Sequence, residues 1–161
     1  MKSFLPSLPV FLPIACSWAE EQQKYFLSQG IALNRDQLID ARRAGVQSPE
    51  KIRVLRVKTL PQLLNEDIMF IAKQIGLFST KSVALTFGYG ICLREDHWDD
   101  RYSLVHECVH VSQYEKRNGI GAFLQEYLRE CMDPGYPFGR MEQEAIIVAR
   151  DICKATRNDP L

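Results

Sequence analysis

Charge of either sign is not in excess in this chain: Lys plus Arg and Asp plus Glu number 20 each. A balanced chain sets up no long-range field toward phosphate or anionic lipid, so nucleic acid is not an expected partner. Past the first residues no long apolar run occurs, and nothing reaches the ~20 consecutive apolar residues of a membrane-spanning helix. The cysteines Cys16, Cys92, Cys108, Cys131 and Cys153 form no Cys-x-x-Cys pair. That pattern argues against both a disulfide framework and a cysteine zinc knuckle, and makes a reducing compartment, the cytoplasm, the expected location. There is no internal repeat and no low-complexity tract. The N-terminus needs separate treatment, because Lys2 is followed by an apolar stretch from Phe4 to Ala15, and Cys16-Ser17-Trp18-Ala19 loosely resembles a signal-peptidase site. Pro6, Pro9 and Pro13 interrupt that stretch, so a packed, extended arm is expected, with secretion as the alternative.

What is present is ordinary globular material. Hydrophobic residues make up 46% and charged residues 25% of 161 positions, enough for one domain with a real core. We divide it into an N-terminal arm and helical layer (1–45), a sheet region (50–95) and a helical region (100–156). Ser17 and Glu20 have capping-box spacing before a helix over Trp18–Ser28 that Gly30 would end, and Asn34 with Gln37 starts a second that stops at Gly45. Lys51–Val57 alternates apolar and basic residues as a strand does. Asn65 caps a helix running toward Gly76. Ser82–Phe87 and Ile91–Leu93 flank Gly88-Tyr89-Gly90 as a hairpin. Helices are then expected over 101–117, 121–131 and 140–154, with the turn Asp133-Pro134-Gly135-Tyr136-Pro137 before the last. The fold class is α+β: a small sheet followed by a mostly helical half.

Chemistry concentrates in His106-Glu107-Cys108-Val109-His110, which holds two of the chain's three histidines. Four helical residues span about 400° of rotation, so both imidazoles project from one face, a turn apart, and can share an ion. Two imidazoles and a carboxylate on an apolar helix are costly to bury without such a partner. Zinc suits imidazole nitrogen, and a catalytic zinc needs three protein ligands and an open position for water. Glu107, beside the first histidine, can take a proton from that water. Cys108 lies roughly opposite and reads as a small buried hydrophobe. The third ligand is expected from Met141-Glu142-Gln143-Glu144-Ala145. Glu142 shares a face with Ala145, Ala149 and Ile152, where small residues let two helices approach, whereas Glu144 points with Val148 and Asp151 and suits an exposed first turn. Glu142 is preferred and Glu144 stands as the alternative. For a transition-state donor, Tyr136 is preferred over Tyr127, Tyr114, His97 and Arg140, against the plainer reading of Tyr136 as a packed loop residue.

The motif and the downstream Glu142-Gln143-Glu144-Ala145 resemble the zincin superfamily, specifically the glutamate-ligand branch called gluzincins. Several such peptidases carry the third ligand in a Glu-x-x-Ala helix. Gln113 after the second histidine also resembles small bacterial domains with an H-E-x-x-H-x-x-Q pattern. The resemblance spans roughly the last third of the chain and, more loosely, the hairpin. It implies a zincin-like fold, a Zn²⁺ cofactor held by His106, His110 and Glu142, and hydrolysis of a peptide or protein substrate laid along the hairpin edge. Many members have an acidic residue after the alanine to support a histidine; Ile146 stands here, so that support is expected from Asp99, Asp100 or Asp151. The competing expectations are an inactive zincin-like module that binds a partner, as an accessory to a secreted toxin or envelope system, and an all-helical interaction domain with an accidental motif. No feature of the sequence sets an oligomeric state.

Overall fold

The computed structural model describes residues 8–79 and 81–159. Its first helix, α1 (Leu8–Gln29), corrects the expected arm: Pro9 and Pro13 are absorbed into a helix that runs on through Trp18. Pro9 stands in the first turn, where an amide has no intrahelical acceptor anyway. Pro13 forfeits one backbone bond, a defect worth about 3 kcal/mol. Phe11, Ala15, Ala19 and Phe26 form a buried stripe along this helix, and each large apolar side chain so buried stabilises by about 1.5 to 3 kcal/mol. The stripe therefore outweighs the proline. Phe4 and Pro6 lie outside the described residues.

Helix α2 (Arg35–Arg43) has the expected capping box, with Asn34 Oδ1 accepting from the Gln37 amide and the Gln37 side chain accepting from the Asn34 amide. Asn65 likewise caps α3 (Glu66–Gln74), and Asp100 caps α4 (Arg101–Lys116). Helices α5 (Ile120–Glu130) and α6 (Arg140–Lys154) complete the helical half. The strands are β1 (Ile31–Ala32), β2 (Arg53–Val57), β3 (Ala84–Phe87) and β4 (Gly90–Arg94), in the order β1-β2-β4-β3. β3 and β4 form the expected antiparallel hairpin, while β2 and β4 pair in parallel. At the hairpin turn Gly88 has φ +58°, and any Cβ there would overlap Gln23 Oε1. The fold is thus mixed helix and sheet, and the all-helical alternative is excluded.

Alternation in the strands splits the core into two layers. Leu55, Leu85, Phe87 and Cys92 face α1 and pack with α5 residues. Ile52, Val54, Ile91 and Leu93 face the opposite way, onto α2, α4 and α6. α4 and α6 pack against each other through Ala145 and Ala149, both wholly buried. Close approach of these two helices is what small residues at those positions permit. No helix among the described residues is long and apolar enough to cross a membrane.

Candidate metal centre

Helices α4 and α6 bring His106, His110 and Glu142 together. His106 Nε2 lies 3.0 Å from Glu142 Oε1, His110 Nε2 lies 3.3 Å from Glu142 Oε2, and the two Nε2 atoms are 3.2 Å apart. Among the described residues these three form the one cluster of ligand-type side chains compact enough for a single ion. Glu142 is 5% and His110 7% exposed. Burial raises the Glu142 carboxyl, but hydrogen bonds from both histidines reverse this and hold it well below the usual carboxylate range. Burial likewise pushes the His110 imidazole down, and Glu142 with the charge of Glu107 overrides it, raising His110 to about 9. Positive charge is favoured at the point where the three side chains meet.

The surroundings hold this cluster in place. Tyr127 donates its hydroxyl to Glu142 Oε2 at 3.0 Å. Its ring stacks on Phe123, which stacks on Tyr114, and His110 stands edge-on to both Phe123 and Tyr127. Of the five donors weighed from sequence, Tyr127 therefore touches the ligand set. Tyr114 donates instead to the Thr86 carbonyl. His97 sits in the turn before α4, against Asp96 and Asp100.

Glu107 and Tyr136 flank the cluster, and both line the cavity that holds it. Thr86 on β3 donates to Glu107 Oε2 at 2.6 Å. Tyr136 packs its ring against Gly76, where a Cβ would come within 2.8 Å of the Tyr136 Cβ. Burial, and then the negative charges of Glu142 and Glu107, push the Tyr136 hydroxyl well above the usual phenol range, so it stays a proton donor. Cys108 is buried on the far side of α4, in the layer with Ile91 and Val105.

Glu144, the alternative third ligand, stands outside the cluster; its Oε2 accepts from Gln113 Nε2 at 2.7 Å. One expectation is corrected. The support for a histidine does not come from Asp99, Asp100 or Asp151: Gln113 Oε1 lies 2.9 Å from His110 Nδ1, Asp100 caps α4, and Asp151 pairs with Arg150. The spacing of Gln113, three residues beyond His110, was a signal for this contact. Thr86 gave none.

The cavity is apolar and about 130 Å³. Phe11, Trp18 and Phe78 wall it on one side, and all four residues of β3 line it. Side chains of one strand alternate between faces. A cavity touching both faces therefore follows the strand's unpaired edge, and β3 is a terminal strand of the sheet. Comparison of the chain with models of protein families, with curated proteins and with solved structures finds no match.

Proposed function

We propose that this protein is a zinc-dependent, zincin-like hydrolase that cleaves peptide bonds, with His106, His110 and Glu142 as the metal ligands. The observation that carries this reading is the spacing of the ligand groups. Tetrahedral zinc with bonds of about 2.0 to 2.1 Å sets its ligands about 3.3 Å apart; here the two Nε2 atoms are 3.2 Å apart, and the Glu142 carboxylate places one oxygen 3.0 Å from His106 and the other 3.3 Å from His110. Two neutral nitrogens and one carboxylate are also a donor set typical of catalytic zinc. When bound, zinc supplies a Lewis acid that polarises a carbonyl and makes water more acidic.

The chain's own residues do the rest. Glu107 acts as general base, accepting the proton of the attacking water, with its carboxylate oriented by Thr86. Tyr136 donates its hydroxyl to the oxygen on which negative charge develops. An extended peptide adds to the open edge of β3, in hydrogen bonds that read no side chain, and the adjoining cavity accepts one apolar side chain and excludes water.

Metal analysis and turnover of a peptide library test this. One equivalent of zinc per chain is expected, with activity lost on chelation. Glu107→Gln retains the zinc and loses about 10² to 10⁴ in kcat, while Tyr136→Phe lowers kcat with zinc content unchanged. A protein that binds zinc but turns over no peptide, or one in which Glu107→Gln is as active as wild type, overturns the enzymatic assignment.

A further inference from the structure

Gln113 is wholly buried and makes three contacts, all on polar groups. Its Nε2 lies 2.9 Å from the Met141 carbonyl and 2.7 Å from Glu144 Oε2, and its Oε1 lies 2.9 Å from His110 Nδ1. Turning the amide over would set its oxygen against a carbonyl and a carboxylate, with no proton between any of them. The NH₂ must therefore face Met141 and Glu144, which leaves the amide oxygen, an acceptor with no hydrogen, facing the imidazole. An imidazole nitrogen 2.9 Å from that oxygen must carry the proton.

We infer that Gln113, with its amide locked by Glu144 and the Met141 carbonyl, fixes His110 with its proton on Nδ1 and presents Nε2 to the ion. Both are positioning residues. Glu144, three positions before the exposed Ile147 on α6 and in neither ligand nor catalytic role, anchors the amide from outside the site, and Gln113 transmits that orientation across the α4–α6 contact. With Nδ1 holding its proton against Gln113, the nitrogen that gives one up on binding metal is Nε2, already aimed at His106 and Glu142, and no ring flip is needed, so the lock raises affinity without touching the ion. The effect on affinity rests on the metal-centre reading; the placement of the proton does not.

Nitrogen-15 spectra of the histidine rings and zinc titrations test the two parts separately. In protein stripped with a chelator, a slowly exchanging His110 Nδ1–H is expected, and in zinc-loaded protein coordination is through Nε2 with that proton retained. An Nδ1 without a proton in either state, or zinc bound through Nδ1, overturns the inference even if zinc binds. Absence of zinc binding with the Nδ1–H in place overturns the metal-centre reading and its affinity corollary, and leaves the placement of the proton supported. Gln113→Met is expected to weaken zinc binding by about ten- to a hundredfold. Since that residue is buried, Glu144→Ala at a half-exposed position gives a second reading that spares the core: faster exchange of the Nδ1–H and a smaller loss of affinity, both restored in Glu144→Gln, whose amide oxygen still accepts. Unchanged exchange in Glu144→Ala removes Glu144 from the relay, and unchanged affinity in a folded Gln113→Met overturns the role of the lock.

Discussion

At the scale of single residues, Thr86 tests whether the placement of Glu107 matters as much as its presence. Its hydroxyl is the donor that orients the carboxylate, and a misplaced catalytic group loses rate steeply. Thr86→Val keeps the shape and removes the donor. The expected result is a fall in kcat of about tenfold or more with KM and zinc content unchanged, and recovery in Thr86→Ser, which restores the hydroxyl without the methyl. If Val keeps the wild-type rate while Ser loses it, the methyl packing and not the hydrogen bond is what counts. His106, Glu107 and His110 were legible because helical spacing alone decides which side chains share a face. Glu142 could be chosen over Glu144 because Ala145 and Ala149 marked the side of α6 that another helix can approach. Thr86 and Tyr127 could not be read this way, since their partners lie 21 and 15 positions away and only the packing of separate elements brings them near.

At the scale of elements, local rules succeeded where local bonds dominate and failed where burial overrode them. Asn34 and Gln37 announce α2 because their reciprocal hydrogen bonds close within four residues. Asn34→Ala removes the side-chain acceptor and half the box, and about 1 kcal/mol of stability should go with it, read as a lower urea midpoint at unchanged slope. A loss under a few tenths of a kcal/mol would mean that packing alone sets the start of α2. α1 shows the opposite case. Three prolines suggested an interrupted arm, but the stripe of Phe11, Ala15, Ala19 and Phe26 repeats at four and seven residues, and that periodicity was the stronger signal. The same helix supplies Phe11, Ala15 and Trp18 to the cavity wall, so reading its first turns as an arm hid that part of the proposed substrate pocket. The β2–β4 parallel pairing was likewise invisible, because α3 and β3 intervene and no local pattern records which distant strand is a neighbour.

At the scale of the whole molecule, helix α4, which carries two residues of the candidate metal centre, is held at its start by a buried carboxylate. Asp40 of α2, 3% exposed, accepts from Arg101 at 2.9 Å through both oxygens and from Arg157 at 2.9 Å. Arg43 reinforces the junction by donating to the carbonyls of Thr156, Arg157 and Asp159. Burial alone would raise the Asp40 carboxyl; the hydrogen bonds from Arg101 and then Arg157 outweigh it and bring it below its ordinary value. A carboxyl lowered in the folded state stabilises the fold above its unfolded pKa of about 3.9, and that contribution fades as pH falls through the lower folded value. Stability should therefore decline on the acid side below about pH 4, with α2, the start of α4 and the 155–159 turn loosening first by hydrogen exchange. Asp40→Asn leaves two partly buried guanidinium groups without their anion, and a loss on the order of 3 kcal/mol at pH 7 is expected. Because Asn does not titrate, the difference between wild type and variant must shrink as the pH falls toward 2. A difference that stays constant across that range would show that Asp40 acts by shape alone and that its charge does not hold α4 in place.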